Sequence, residues 1–138
     1  MAYGDGDASF QAAGGEAGLL RLVDDFYDLM ETRPYAATIR AMHPPDLTVA
    51  RDKLARFLCG WLGGPKRYQE RYGSISIPGS HAHLDVDADA RDAWLMLMRE
   101  ALAAQPMADD FKDYLLGALA VPAERVRVVC AQLRASGA

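Results

Sequence analysis

Residues that commonly carry chemistry are sparse in this chain: two cysteines, Cys59 and Cys130, and three histidines, His43, His81 and His83. The cysteines lie far apart and form no Cys-x-x-Cys pair. That argues against a zinc ribbon or a thioredoxin-type site, and it suits a reducing cytoplasm better than a disulfide scaffold. Positive charge is also thin: 15 Lys and Arg stand against 19 Asp and Glu, for a net charge of −4, and no basic run exceeds Lys66-Arg67. Affinity for phosphate backbones rests on clustered positive charge, so a nucleic-acid groove is not expected. No apolar run approaches the roughly 18 residues of a membrane span, and the N-terminus carries Asp5 and Asp7 where a secretory signal would be basic. Neither a membrane protein nor a secreted one is expected. A glycine-rich phosphate loop and a Gly-x-Ser-x-Gly elbow are both missing, which leaves nucleotide-binding and hydrolase readings without support.

What is present is an ordinary globular composition, 51% hydrophobic and 25% charged over 138 residues. That length predicts one domain, residues 1–138, of which the Gly- and Ala-rich first 13 read as a loose lead-in. After Gly14-Gly15, the residues Leu19, Leu22, Val23, Phe26, Tyr27 and Met30 recur at spacings of three and four, predicting a helix from Glu16 to about Thr32 that Pro34 ends. A shorter apolar segment from Tyr35 to Met42 stops at His43-Pro44-Pro45, which sets His43 at a corner. Asp46 or Thr48 then caps a second long helix carrying Leu47, Ala50, Leu54, Phe57, Leu58 and Trp61, and Gly63-Gly64-Pro65 stops it. Helical spacing returns at Ala90, Trp94, Leu97 and Ala101. It returns again from about Met107 through Phe111, Leu115 and Leu119, and after Pro122 in Val126, Val129 and Leu133; Pro122 is expected to kink or divide that last helix.

The stretch from Ser74 to Asp87 breaks the helical pattern. Ile75 and Ile77 alternate, Pro78-Gly79 signals a turn, and Ala82, Leu84 and Val86 alternate again. This is the pattern of a short β-hairpin, although an otherwise helical chain offers it no sheet to join. On a strand, His81, His83, Asp85 and Asp87 would share one face and could bind a divalent metal; in a helix, residues two apart diverge, and a solvated polar loop is a third reading. Tyr27 and Trp94 each place a hydrogen-bond donor within an apolar helix face. Such donors are either bonded to a carbonyl or water, or converge on a small polar ligand.

The order of these motifs is distinctive. Leu22-Val-Asp-Asp-Phe26-Tyr27-Asp-Leu-Met30, His43-Pro-Pro-Asp-Leu47, Arg51-Asp-Lys53-Leu54-Ala-Arg-Phe57-Leu58-Cys-Gly-Trp61-Leu-Gly63-Gly64-Pro65, Arg71-Tyr72-Gly73, His81 and Arg91-Asp-Ala-Trp94-Leu together resemble a group II truncated haemoglobin over about residues 14 to 120. The resemblance implies an all-α fold, a two-over-two helical sandwich around haem b. His81 falls where the family carries the proximal histidine that ligates the iron, and His83 falls where it usually has proline. The ligand-stabilising positions fall on Tyr27, His43 and Trp94, with Ala50 and Leu54 lining the distal wall. Further cofactor contacts are implied at Lys53, Phe57, Tyr68, Tyr72 and Met98. The chain departs from the pattern before His81, where Ser74-Ile-Ser-Ile-Pro-Gly-Ser80 replaces an arginine-rich run. Lys53, Tyr68 and Arg67 remain to meet the haem propionates.

The resemblance also implies a function. An iron with one protein ligand and an open sixth position binds diatomic gases such as O2, NO and CO, and firm distal donors suit oxygen-dependent redox chemistry, such as nitric oxide dioxygenation or peroxide turnover, better than delivery. If the protein turns the gas over, it is expected to be a cytoplasmic enzyme that draws on a reductase, and a monomer or homodimer is expected. Alternatives are a reversible oxygen carrier or gas sensor, a non-haem metal protein using the His81/His83 segment, and a cofactor-free helical interaction module.

Overall fold

Apolar residues recurring at three and four build four long helices, and short helices join them. The computed structural model describes residues 2–74, 76–81 and 83–136. In chain order the helices are α1 (Ala8–Ala12), α2 (Gly15–Thr32), α3 (Ala37–Ala41), α4 (Thr48–Trp61), α5 (Arg67–Tyr72), α6 (Ile77–His81), α7 (Ala88–Ala103) and α8 (Asp109–Ala135), with a 3-10 turn at Pro34–Ala36. Among the described residues there is no strand, and no helix is long and apolar enough to cross a membrane.

The buried face of α2 consists of Gly18, Leu19, Leu22, Val23, Phe26, Tyr27 and Met30, matching the expected stripe. α4 opens on neither expected cap: Leu47, between Asp46 and Thr48, holds the N-cap position and makes no side-chain cap bond. The Asp46 carboxylate accepts from the Thr48 backbone N–H at 2.9 Å, meeting a donor that the first helical turn leaves unpaired. Phe26, Leu58, Leu97, Met98, Phe111 and Leu115 fill the core with no appreciable exposure. α2 packs on α4, α7 packs on α8, and α2 crosses α7 to join the pairs. This is the expected two-over-two arrangement.

Three further expectations are corrected. The first residues are not a loose lead-in. The Tyr3 ring packs on Phe111 and Tyr114 with centroids 5.3 and 5.2 Å away, and its hydroxyl donates to Asp110 at 2.8 Å. Phe10 N–H donates to the Leu62 carbonyl at 3.1 Å, so the segment lies against the end of α4. That contact explains Gly63-Gly64 beyond its role as a helix stop. A Cβ on Gly63, whose φ is +95°, would overlap the Gly6 carbonyl, and one on Gly64 would overlap the Phe10 ring.

The hairpin is the second correction. Ile77–His81 forms α6, Leu84 N–H donates to the His81 carbonyl at 3.0 Å, and Asp87 caps α7 by accepting from Ala90 N–H at 2.8 Å. Pro78 stands in the first turn of α6, where its missing N–H costs no intrahelical bond; a proline read as a turn signal is instead a helix start. The expectations for Ile75 and Ala82 lie outside the described residues. The third correction concerns one of the two outcomes expected at Pro122: the residue sits inside a continuous α8, so it does not divide the helix.

Candidate functional site

Tyr27 lies on the inner face of α2 and is only 5% exposed. Its ring meets Phe26 edge-on at 5.0 Å and His43 edge-on at 5.8 Å, and Phe26 in turn lies 5.2 Å from Trp94. The three donors expected on the distal side, contributed by α2, the α3 corner and α7, are therefore linked in one run of ring contacts, Trp94 to Phe26 to Tyr27 to His43. Burial pushes the Tyr27 phenol up to about 12, against the opposing pull of the Arg51 charge. The hydroxyl stays protonated at all ordinary pH values. It makes no hydrogen bond within the described residues, yet it is not a buried orphan. It meets open space, the state of a donor awaiting a ligand.

His43 Nδ1 lies 2.7 Å from the Ile39 carbonyl oxygen. A carbonyl only accepts, so the ring proton is on Nδ1 and the neutral ring carries its lone pair on Nε2. Burial is the main cause holding its pKa below the ordinary histidine value, with the Arg40 and His81 charges acting in the same direction and the Ile39 bond against. At neutral pH His43 thus offers an acceptor at Nε2.

His81 ends α6, half-buried, with Nδ1 2.8 Å from the Ile77 carbonyl oxygen. The same logic fixes the proton on Nδ1 and the lone pair on Nε2, the arrangement a histidine needs in order to ligate a metal. Behind it, the Cys130 thiol donates to the His81 carbonyl at 3.7 Å. His83 is exposed, Asp85 pairs with Arg134 and Asp87 caps a helix. The polar face required for a non-haem centre does not form, and among the described residues no group of three His, Cys, Asp or Glu side chains comes together for a metal ion.

α4 presents two apolar faces. Ala55, Leu58 and Cys59 are buried in the core, while Ala50, Leu54 and Phe57, at spacings of four and three, are only half covered and lead to Trp61, which is 38% exposed and stacked on Phe57. Tyr68 and Tyr72 on α5 pack at 5.1 Å beside this stripe's helix, and Lys53 Nζ lies 5.3 Å over the Tyr72 ring. The Tyr72 hydroxyl donates to Asp52 at 2.5 Å. Arg67 turns elsewhere, to Glu16 and Glu70 at 3.0 Å. Met98 has no exposed surface to offer. A residue that sequence reasoning missed is Arg51, whose guanidinium carbon lies 5.7 Å from the centre of the Tyr27 ring. The signal was there: Asp24, Asp28 and Glu31 recur at four and three along α2, an acidic stripe that needs a cation.

Residues 8–127 match the model of the bacterial-like globins. The chain belongs to that family, within its group II truncated haemoglobins. This globin is 30% identical, over 120 residues, to the group 2 truncated hemoglobin YjbI of Bacillus subtilis (strain 168), which spans 87% of this chain and 88% of that one. The cold-adapted truncated hemoglobin of the Antarctic marine bacterium Pseudoalteromonas haloplanktis TAC125 superposes with a TM-score of 0.82 at 31% identity, covering 86% of this chain and 95% of its own. The truncated oxygen-avid haemoglobin of Bacillus subtilis does so with a TM-score of 0.79 at 30% identity, covering 86% and 98%.

The cofactor of the family is haem b, and globins use it to bind diatomic gases. The donor set of this globin fits that group. A half-covered apolar stripe on α4 suits a flat porphyrin face, His81 carries its lone pair on Nε2, and the Tyr27 hydroxyl makes no hydrogen bond within the described residues.

Proposed function

We propose that this globin holds haem through His81 and uses the gas it binds for oxygen-dependent redox chemistry, such as nitric oxide dioxygenation or peroxide turnover. The haem would supply an iron with an open coordination position, and the chain supplies the environment that decides what happens there. Tyr27 and Trp94 provide O–H and N–H donors for negative charge that gathers on a bound gas, in a pocket dry enough to make each bond strong. His43 accepts at Nε2 and so helps order the Tyr27 hydroxyl or a water. Ala50, small and half-buried, leaves the approach open, and Leu54 and Phe57 exclude water from the porphyrin face. Lys53, Tyr68 and Tyr72 are the groups proposed to meet the propionates.

The observation that carries this reading is Tyr27, its ring almost wholly buried and its phenol protonated, whose hydroxyl makes no hydrogen bond within the described residues, amid a cluster holding two further polar rings. A relative described as oxygen-avid is in keeping with it. The test is an absorption spectrum of the haem-loaded protein in ferric, reduced and carbon-monoxide-bound states, followed by oxygen release from the wild type and Tyr27→Phe. A Soret band that moves on reduction and again with carbon monoxide is expected, and Tyr27→Phe should release oxygen about tenfold faster for each 1.4 kcal/mol of donor stabilisation lost. Nitrate formed from nitric oxide would support redox chemistry. Fast release from the wild type with no nitrate would favour reversible carriage.

A further inference from the structure

Arg51 occupies a position that the haem site does not require. It follows Ala50 on α4, and its side chain turns toward α2, away from the stripe on which Leu54 and Phe57 lie. One guanidinium nitrogen, Nη1, donates to the Asp24 carbonyl at 3.1 Å and reaches the Asp24 carboxylate at 3.4 Å. The other, Nη2, donates to Asp28 at 2.8 Å and lies 3.7 Å from Glu31. These three acids stand three residues before Tyr27, one after it and four after it, so they flank the tyrosine on a neighbouring strip of the helix surface. Between them the guanidinium lies across the Tyr27 ring at 5.7 Å.

The carboxylates are 49–68% exposed, and exposed ion pairs taken singly contribute little to stability. Their convergence does something else. Three carboxylates and a backbone carbonyl hold a side chain that is itself only 25% exposed in one place, and that place is over an aromatic face, where a planar cation is attracted to the ring. The ring is held edge-on by Phe26 and His43 and covered by Arg51, so the phenol has little freedom to rotate its hydroxyl away from the site.

We infer that Arg51 is a positioning residue for Tyr27: anchored by the acidic stripe of α2, it clamps the tyrosine ring and fixes the hydroxyl as a ligand donor. The inference rests on the reading of Tyr27 as the distal donor. It differs from a general bracing of α2 against α4 in acting through one ring. A cation is required, and Arg51→Lys should keep much of the effect whereas Arg51→Met, similar in length and uncharged, should not.

The experiment compares wild type, Arg51→Met, Arg51→Lys, Tyr27→Phe and the Arg51→Met/Tyr27→Phe double variant, each loaded with haem. It measures oxygen release and the infrared stretching band of bound carbon monoxide. Arg51→Met should speed release about fivefold, the size of one cation–ring contact, and move the carbon monoxide band toward the higher frequency of a site with a weaker donor. Arg51→Lys should fall closer to wild type. In the Tyr27→Phe background, Arg51→Met should add nothing. An unchanged rate and band in Arg51→Met, or the same fivefold factor in the Tyr27→Phe background, would overturn the inference while leaving the haem reading intact. If Tyr27→Phe itself changes neither readout, the distal role of Tyr27 fails first.

Discussion

Tyr27 sits in the middle of an eighteen-residue helix and is pressed by Phe26, His43 and Arg51, whereas His81 ends a five-residue helix and is placed by bonds from its neighbours and one thiol. The proposed distal side is built from long elements whose apolar faces interlock, so its geometry belongs to the whole fold. The proposed proximal side is local: a carbonyl of the same short helix orients the imidazole, and α8 supports it from behind through Cys130 and, further along, the Arg134 pair with Asp85. A site divided in this way separates two failures. Losing the proximal side chain should abolish coordination and spare the fold, while disturbing the distal framework should weaken the fold and spare the ligand.

The sharpest way to break this comparison is His81→Gly. The variant should fold with nearly the wild-type melting temperature in its haem-free form, because a half-buried side chain at the end of a short helix contributes little to the core. Loaded with haem, it should lose the wild-type ferrous spectrum, and added imidazole should restore much of it. Wild-type spectra without imidazole would remove His81 from its proposed role. A collapsed fold would show that the proximal segment is structural after all.

The second test acts on the distal framework from outside the site. Gly63→Ala places a Cβ onto the Gly6 carbonyl at a φ of +95°, so the N-terminal segment must leave the end of α4 or the turn must strain. Either route should cost about 2–4 kcal/mol, the combined range for backbone strain and overpacking, measurable as a lower midpoint in urea. The spectrum of the loaded protein should be unchanged where folding is complete. A cost below about 0.5 kcal/mol would mean that the first residues are not part of the framework.

The same division explains what could be read in advance. α2, α4, α7 and α8 were legible because a buried helical face repeats at three and four, and the two-over-two fold followed from motif order. Tyr27, His43, Trp94 and His81 were singled out through the resemblance, and the structure links the first three by ring contacts that run through Phe26 and Tyr27. Short elements were not. α5 and α6 span less than two helical turns, too little for a period to show, and the alternating Ile75 and Ile77 with Pro78-Gly79 imitate a hairpin. The first residues misled because Gly and Ala suggest looseness, although a chain of small residues is also one that fits against a helix end. Arg51 was missed because its partners lie on another helix, and a cation counts as surface until its acids are found.

The finest of the expected effects tests how well the distal side is sealed. Tyr27 ionises near 10 in the unfolded chain and at about 12 in the folded one. Between those values the folded state holds a proton that the unfolded state has lost, so stability must fall as pH rises through this window and must be unaffected below it. Tyr27 should contribute a slope of about 1.4 kcal/mol per pH unit there. Tyr35, also raised to about 12 by burial and its bond to Glu100, falls in the same window, so the wild-type loss will be steeper than that of one group. Tyr27→Phe removes only its own share, and the quantity to measure is the difference in slope between wild type and variant in urea unfolding at pH 9 to 11. Equal slopes would mean that the phenol is solvated in the folded protein and ionises near its ordinary value. The distal pocket would then be wet, and Tyr27 would lose the dry surroundings that make it a strong donor.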